Sequence, residues 1–175
     1  ARNMHVIECA VSEDPPRDEI GKAAALVQFA QMSGLVAIVK GDVKFAEMLS
    51  ADGVLLSEFK NIKPAIKKLE DDKIVGLSCG MDSNLAEKAV TQGADYVTLG
   101  NPVAAPELPL ITKLTTQIDK PCAVVGPVTN DTASHYVMAG ATFIDITNYL
   151  TALDKGPMQA TVNMLHAIDL ALETP

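Results

Sequence analysis

The stretch QGADYVTLG, residues 92–100, contains a complete connection from a helix to a β-strand. Gly93 is suited to ending a helix, because glycine readily adopts the left-handed backbone conformation found there. Tyr96-Val97-Thr98-Leu99 consists of residues that favour strands. The segment therefore predicts a short buried strand that directly follows a helix over residues 83–92.

The same alternation of strand and helix recurs on both sides of this segment. Strands are predicted at 4–11, 35–40, 53–57, 73–78, 96–100, 121–126 and 143–148. The first helix is predicted to be capped by Asp14 and stopped at Gly34, and the others to span 42–49, 62–69, 83–92, 108–117, 131–139 and 157–172. Alternating short strands and helices indicate a parallel sheet covered by helices. Doubly wound open sheets usually have about five or six strands, so these seven βα units favour a single (βα)8 barrel domain over residues 1–175 that lacks one unit.

Composition excludes several classes of partner. The net charge is −8, from 14 Lys plus Arg against 22 Asp plus Glu, without a basic cluster, and this disfavours nucleic acid as a partner. No apolar run reaches the length of a membrane span. Three cysteines without a CxxC spacing predict reduced thiols and a cytoplasmic location, with no zinc site.

Three segments, taken in order, resemble the thiamine phosphate synthase/TenI family of compact (βα)8 barrels. They are SADGVLL at 50–56, QGADYVTLG at 92–100, and KPCAVVG at 120–126 followed by MAGAT at 138–142. The resemblance implies thiamine biosynthesis. The family's transferase couples a pyrimidine diphosphate with a thiazole phosphate, using Mg²⁺ and releasing diphosphate, and its relatives isomerise the thiazole ring. It also matches the first strand of this chain to the family's second, so the barrel's first strand is expected outside the numbered chain. The resemblance further implies phosphate binding at the carboxyl ends of the strands and a possible homodimer.

At the family's functional positions, however, this chain carries different residues. Ala10 stands where the family pattern has arginine, and Ser12 where it has lysine. Gly41 and Lys60 occupy the positions of the family's metal carboxylates, so the ligands of the implied Mg²⁺ are lost. Pro127 replaces the second glycine of the phosphate loop and has no N–H to donate. Losing several charge-stabilising groups, each worth about 10²–10³ in rate, predicts that the family reaction falls to near background.

The remaining polar residues at predicted strand ends are the candidates for a new or altered site. The candidate catalytic residues are Lys40, Glu58 and Ser78, and the candidate substrate- or phosphate-binding residues are Glu8, Lys60, Gly100, Gly126, Thr147 and Asn148. Lysines at a barrel mouth could bind an anionic group, and carboxylates there could act as acids or bases. The competing interpretations are solvated loop charges and ordinary turn residues.

Three functional hypotheses follow. The protein could still make thiamine phosphate despite the substitutions, could act on another phosphorylated small molecule, or could be a pseudoenzyme that works as a ligand-binding or interaction module. A response-regulator-like open sheet is set aside, because Glu13-Asp14 supplies its acidic pair only loosely and no phospho-acceptor aspartate follows.

Other side chains are assigned simpler roles. Cys79 is expected to be an inert buried thiol, with Cys9 and Cys122 in the core. Asp145 is expected to face the barrel mouth or pair with a lysine. Asn130-Asp131-Thr132 is expected to form a helix N-cap, and Asn130 could alternatively present that helix N-terminus to an anion. His5, His135 and His166 are interpreted as surface or packing residues. The last helix is predicted to bury one face formed by Met158, Val162, Leu165, Ile168 and Leu172.

Overall fold

The computed structural model describes residues 6–12 and 14–173, which fall into two compact units. Within the described residues, the N-terminal unit comprises 6–12, 14–78 and 91–95, and the C-terminal unit comprises 79–90 and 96–173. The predicted strand start at 4–5, with His5, lies outside the described residues, as does Glu13. Among the described residues, no helix combines the length and hydropathy needed to cross a bilayer.

The N-terminal unit consists of four strands alternating with helices, as the sequence predicts. In chain order its elements are β1 (Val6–Ala10), α1 (Arg17–Met32), β2 (Val36–Lys40), α2 (Val43–Met48), β3 (Gly53–Leu56), a 3₁₀ turn (Phe59–Asn61), α3 (Ile62–Lys68) and β4 (Ile74–Ser78). Each strand pairs in parallel with the next along the chain. Ile38, Leu55 and Leu77 are fully buried, as expected for a parallel sheet covered by helices.

The aspartates of the Gly-Ala-Asp-like segments anchor the amino ends of neighbouring strands. The Asp52 N–H donates to the Ala37 carbonyl oxygen (2.8 Å), and the Ala37 N–H donates back to Asp52 Oδ2 (2.7 Å). Asp95 makes the same pair of hydrogen bonds with Val75, at 2.7 and 2.9 Å. Asp52 therefore fixes the amino end of β2, and Asp95 fixes the amino end of β4. In βα barrels this end of the strands contributes to stability, whereas the carboxyl end carries the active site.

The C-terminal unit continues the alternation. Its elements are α4 (Ser83–Thr91), β5 (Tyr96–Gly100), α5 (Leu108–Gln117), β6 (Cys122–Val125), α6 (Asn130–Met138), β7 (Phe143–Ile144), α7 (Thr147–Ala152) and α8 (Gly156–Glu173). Strands β5, β6 and β7 pair in parallel and in chain order. Leu99, Ile111, Leu114 and Met164 are fully buried.

The final strand differs from the prediction. It ends at Ile144, not at Asn148, and Thr147 begins helix α7. Asp145 Oδ1 accepts the Thr147 N–H at 2.8 Å, a local bond that turns the chain out of the extended conformation. Asp145 therefore binds the first N–H of α7, and among the described residues it forms no ion pair with a lysine.

Two helix starts were assigned to the wrong residues. The N-cap of α1 is Pro16, without a side-chain capping bond, so the predicted Asp14 cap is wrong. Two consecutive prolines separate Asp14 from the helix, which places its carboxylate too early to cap the first turn. The N-cap of α6 is Thr129, whose N–H donates to the Thr132 hydroxyl (3.0 Å), so Asn130 is the first helical residue.

The predicted buried face of α8 is wrong at Met158, Val162 and Leu172, which are exposed, whereas Leu165 and Ile168 are half-buried. Met158 and Val162 are 82% and 55% exposed, whereas Ala160, Met164 and Ala171 are buried. Helix α8 packs against α6 and α7, and the small alanine side chains allow this close approach.

Candidate functional site

A cavity of about 740 Å³ opens in the N-terminal unit at the carboxyl ends of β1, β2 and β3. Its charged lining residues are Lys40, Asp42, Glu58 and Lys68; its uncharged polar side chains are Ser12, Ser57 and Asn61; and its apolar wall includes Val43, Phe45, Leu56 and Ala65. This is the end of the strands where barrels of this class carry their active sites.

Lys40 is the cation that remains available in this cavity. It is the last residue of β2, half-buried, and its register partners are Ala10 of β1 and Leu55 of β3. Among the described residues it makes no ion pair, whereas the other lining lysine, Lys68, lies 2.7 Å from Glu47. An anion entering the cavity would therefore not have to displace an ion-pair partner from Lys40.

The two lining carboxylates are partly engaged by their own neighbours. Glu58 Oε2 accepts hydrogen bonds from Lys60 Nζ at 2.9 Å and from Asn61 Nδ2 at 3.4 Å. Asp42 caps α2 by accepting the Lys44 N–H at 3.1 Å. Each carboxylate thus has one oxygen committed to a local bond.

Magnesium, which the sequence resemblance implies, would not find the family's carboxylate ligands in this chain. Among residues 6–12 and 14–173 there is no group of three or more His, Cys, Asp or Glu side chains that could hold a metal ion. Mg²⁺ takes oxygen ligands in near-octahedral geometry, commonly from carboxylates and substrate phosphates. At the family's carboxylate positions this chain has Gly41 and Lys60.

Two hydrogen bonds that the sequence does not predict hold the segment after β1 against helix α1. The Ser12 N–H donates to Glu19 Oε1 at 2.7 Å, and the Ser12 hydroxyl donates to Glu19 Oε2 at 2.9 Å. Glu19 lies in the first turn of α1, seven residues from Ser12 along the chain. The position where the family pattern has lysine therefore contacts a carboxylate, and neither Ser12 donor is left for a phosphate. The only sequence signal was an acidic residue in a helix's first turn, which is too common to identify the contact.

The structure brings two of the five candidates in this unit together. Lys40 and Glu58 both line the cavity, whereas Glu8, Lys60 and Ser78 do not. Glu8 is exposed in the middle of β1, Lys60 is exposed and paired with Glu58, and Ser78 is the last residue of β4.

In the C-terminal unit, Gly100 and Gly126 have packing roles that explain the absence of a side chain. Gly100 has φ +100°, and a Cβ there would collide with the Val125 carbonyl oxygen. A Cβ on Gly126 would lie 2.7 Å from that of Ala105. These steric contacts alone account for glycine at both positions, without a bound ligand.

The donors around the predicted phosphate loop are used within the protein. The Val128 N–H donates to the Gly126 carbonyl oxygen (2.8 Å), and Pro127 has no N–H. The Thr147 N–H is bonded to Asp145, and Asn148 Nδ2 donates to the Pro102 carbonyl oxygen (2.6 Å). Phosphate binding by these residues stays a prediction, and it would require some of these bonds to open.

The cysteines are buried thiols, in agreement with their expected role. Burial, with smaller contributions from Asp82 and Cys122, raises the pKa of Cys79 to about 12. Burial also raises the pKa of Cys122 to about 11. At neutral pH these groups are protonated and so are poor nucleophiles.

Comparison with known proteins identifies the family. The family model described as thiamine monophosphate synthase matches residues 10–149. The chain belongs to this family. Thiamine-phosphate synthase from Azoarcus sp. is 33% identical over 143 residues, which cover 76% of this chain and 68% of that protein. The thiamine-phosphate synthase of Alcanivorax borkumensis is 30% identical over 156 residues, covering 83% and 72%.

A solved structure of the family agrees in fold. Thiamine phosphate pyrophosphorylase from Pyrococcus furiosus matches with a TM-score of 0.84 and 22% identity, covering 95% of this chain and 84% of that one. The fold class of this thiamine monophosphate synthase family member is therefore the βα barrel that the sequence predicts.

Proposed function

We propose that this chain binds a small phosphorylated molecule in the cavity of the N-terminal unit, with Lys40 contacting the phosphate, and does not catalyse the magnesium-dependent coupling implied by its family. The observation that carries the proposal is a half-buried lysine that lines a cavity of about 740 Å³ without an ion pair to any described residue. A half-buried cation beside open cavity space favours a charged ligand, because charge-assisted hydrogen bonds are stronger than neutral ones.

The register of β1 and β2 supports a relocated phosphate contact. Ala10, at the family's arginine position, is the register partner of Lys40. Neighbouring strands lie about 4.8 Å apart, so the positive charge lost from β1 has a replacement one strand away. A long, flexible lysine could reach the same ligand group from this adjacent position.

The charged residues that line the cavity support loss of the coupling reaction. The cavity is lined by two lysines and two carboxylates, and Lys68 is already paired with Glu47. Departure of diphosphate develops negative charge that must be neutralised by metal ions or fixed cations. A single unpaired lysine suits a phosphomonoester better than a leaving diphosphate.

A second candidate function is a diverged reaction on the same ligand class. It is favoured by Lys40 and Glu58 lining one cavity, since a cation and a carboxylate together can bind an anion and move a proton. Glu58 would act as the base through Oε1, because Oε2 is bonded to Lys60 and Asn61.

The proposed phosphate contact is tested by calorimetric titration with inorganic phosphate at low ionic strength. We expect Lys40→Ala to weaken phosphate binding by about tenfold or more, equivalent to about 1.4 kcal/mol. Lys44→Ala is the matched control, since Lys44 is an exposed lysine four residues away that does not line the cavity. Equal affinities of the wild type and Lys40→Ala, or an equal loss in both variants, would contradict the proposal.

A further inference from the structure

The cavity has a cationic part and a part that is rich in hydrogen-bond acceptors. The cationic part is Lys40. The accepting part, which we call the acceptor wall, consists of Ser12, Glu58 and Asn61. Its character follows from bonds that these residues already make within the protein.

Ser12 is an acceptor because both of its donors are used. Its N–H and its hydroxyl proton point to the two carboxylate oxygens of Glu19, at 2.7 and 2.9 Å. The hydroxyl oxygen keeps lone pairs, and these are the hydrogen-bonding capacity that Ser12 can offer a ligand. Glu19 therefore acts as a positioning residue for the wall.

Glu58 and Asn61 are acceptors for a similar reason. Asn61 Nδ2 donates one of its two N–H groups to Glu58 Oε2, which leaves the amide oxygen and the second N–H of Asn61 for other partners. Lys60 also binds Oε2, so Oε1 of Glu58 is the carboxylate oxygen left over. An ionised carboxylate can only accept hydrogen bonds.

The acceptor wall favours phosphorylated ligands whose non-phosphate part can donate hydrogen bonds. Resting on the function proposed above, we infer that the ligand is a polyhydroxylated phosphomonoester of the sugar-phosphate or polyol-phosphate class. Its phosphate would contact Lys40 and its hydroxyl groups would donate to the acceptor wall. A ligand with an apolar body would displace part of the water around these acceptors without donating hydrogen bonds in return, which is unfavourable.

Two matched probes test the inference on the wild-type protein. Sorbitol 6-phosphate and n-hexyl phosphate have the same carbon chain and phosphate, and they differ only in hydroxyl groups. We expect sorbitol 6-phosphate to bind about tenfold more tightly by calorimetry. Apolar burial alone would produce the opposite order, because each buried CH₂ favours binding.

The double variant Ser12→Ala/Asn61→Leu removes two acceptors without changing the net charge. We expect it to weaken sorbitol 6-phosphate about tenfold and to leave n-hexyl phosphate within about threefold of wild type. Lys40→Ala should weaken both probes, and Lys44→Ala neither. Thermal melting checks that each variant is folded, and the wild-type comparison stands even where a variant is not.

The outcomes separate the two proposals. Equal affinity for the probes, or tighter binding of n-hexyl phosphate, overturns the polyol inference and leaves the Lys40 contact standing. Failure of the wild type to bind either probe or inorganic phosphate overturns both. If the double variant prefers sorbitol 6-phosphate over n-hexyl phosphate as strongly as the wild type does, the acceptor wall does not cause the preference and the inference is overturned.

Discussion

Substituting Asp52 with alanine tests whether the recognisable Gly-Ala-Asp-like motif is structural. The Asp52 carboxylate accepts the Ala37 N–H at 2.7 Å and the Gln31 side-chain amide at 2.9 Å. It thereby ties the turn before β3 to the start of β2 and to helix α1. Asp52→Ala removes both bonds and leaves the N–H of Ala37, a residue only 1% exposed, without its partner.

The expected cost follows from these contacts. A hydrogen bond to a charged group contributes about 1.5–3 kcal/mol, and an orphaned buried N–H costs about 1–3 kcal/mol. These contributions overlap, and the Gln31 amide can turn to solvent, so we expect a loss of about 3 kcal/mol in the free energy of unfolding. With a urea m-value of about 2 kcal/mol/M, the unfolding midpoint falls by about 1.5 M.

Urea unfolding followed by circular dichroism at neutral pH measures this loss. Asp52→Asn keeps one acceptor and should cost about 1 kcal/mol. Asp71→Ala, in an exposed loop of the same unit, is the control and should stay within about 0.5 kcal/mol of wild type. If Asp52→Ala is as stable as the Asp71 control, the anchoring role assigned to the motif is wrong.

Three further predictions concern the C-terminal unit. Gly100→Ala should abolish soluble folded protein or lower its melting temperature strongly, because its Cβ collides with the Val125 carbonyl oxygen at φ +100°; a normal melt would contradict the packing. Met164→Ala should lower the free energy of unfolding in urea by about 2–5 kcal/mol, because Met164 is buried. Met158→Ala should be nearly neutral, because Met158 is 82% exposed. The reverse order would mean that α8 buries the face predicted from the sequence. Cys79, with a pKa of about 12, should resist alkylation at pH 8 in the native state and become more reactive as the pH rises toward 12. It should react readily in urea. Equal alkylation rates of Cys79 in the native and unfolded protein, measured by peptide mapping, would refute its burial.

The regular elements were predictable because local sequence determines them. Val36-Ala37-Ile38-Val39 indicates a buried strand by composition alone, and α5 spans Leu108–Gln117 as predicted. The end of β7 was not predictable in the same way. Its residues suit a strand, and only the bond from Thr147 to Asp145 turns the chain into a helix.

The buried face of α8 and the hydrogen bonds at the cavity depend on tertiary contacts, which the hydrophobic periodicity of the sequence does not predict. Both possible faces of α8 carry apolar residues, and the small alanines were outweighed by larger side chains in the pattern. Lys40 and Glu58 could be placed at strand ends from the sequence. The bonds from Ser12 to Glu19 join a loop to a helix seven residues later, and no residue pattern announces them.

The most direct test of the central claim, that the family fold persists without the family reaction, is a coupling assay. Folded full-length protein is incubated with Mg²⁺, the pyrimidine diphosphate and the thiazole phosphate, and thiamine phosphate is measured beside an active family synthase. We expect no product above the uncatalysed rate, with or without Mg²⁺, from protein whose thermal melt is cooperative. Magnesium-dependent turnover well above that rate would contradict the account, since other residues would then supply the missing cations and metal ligands.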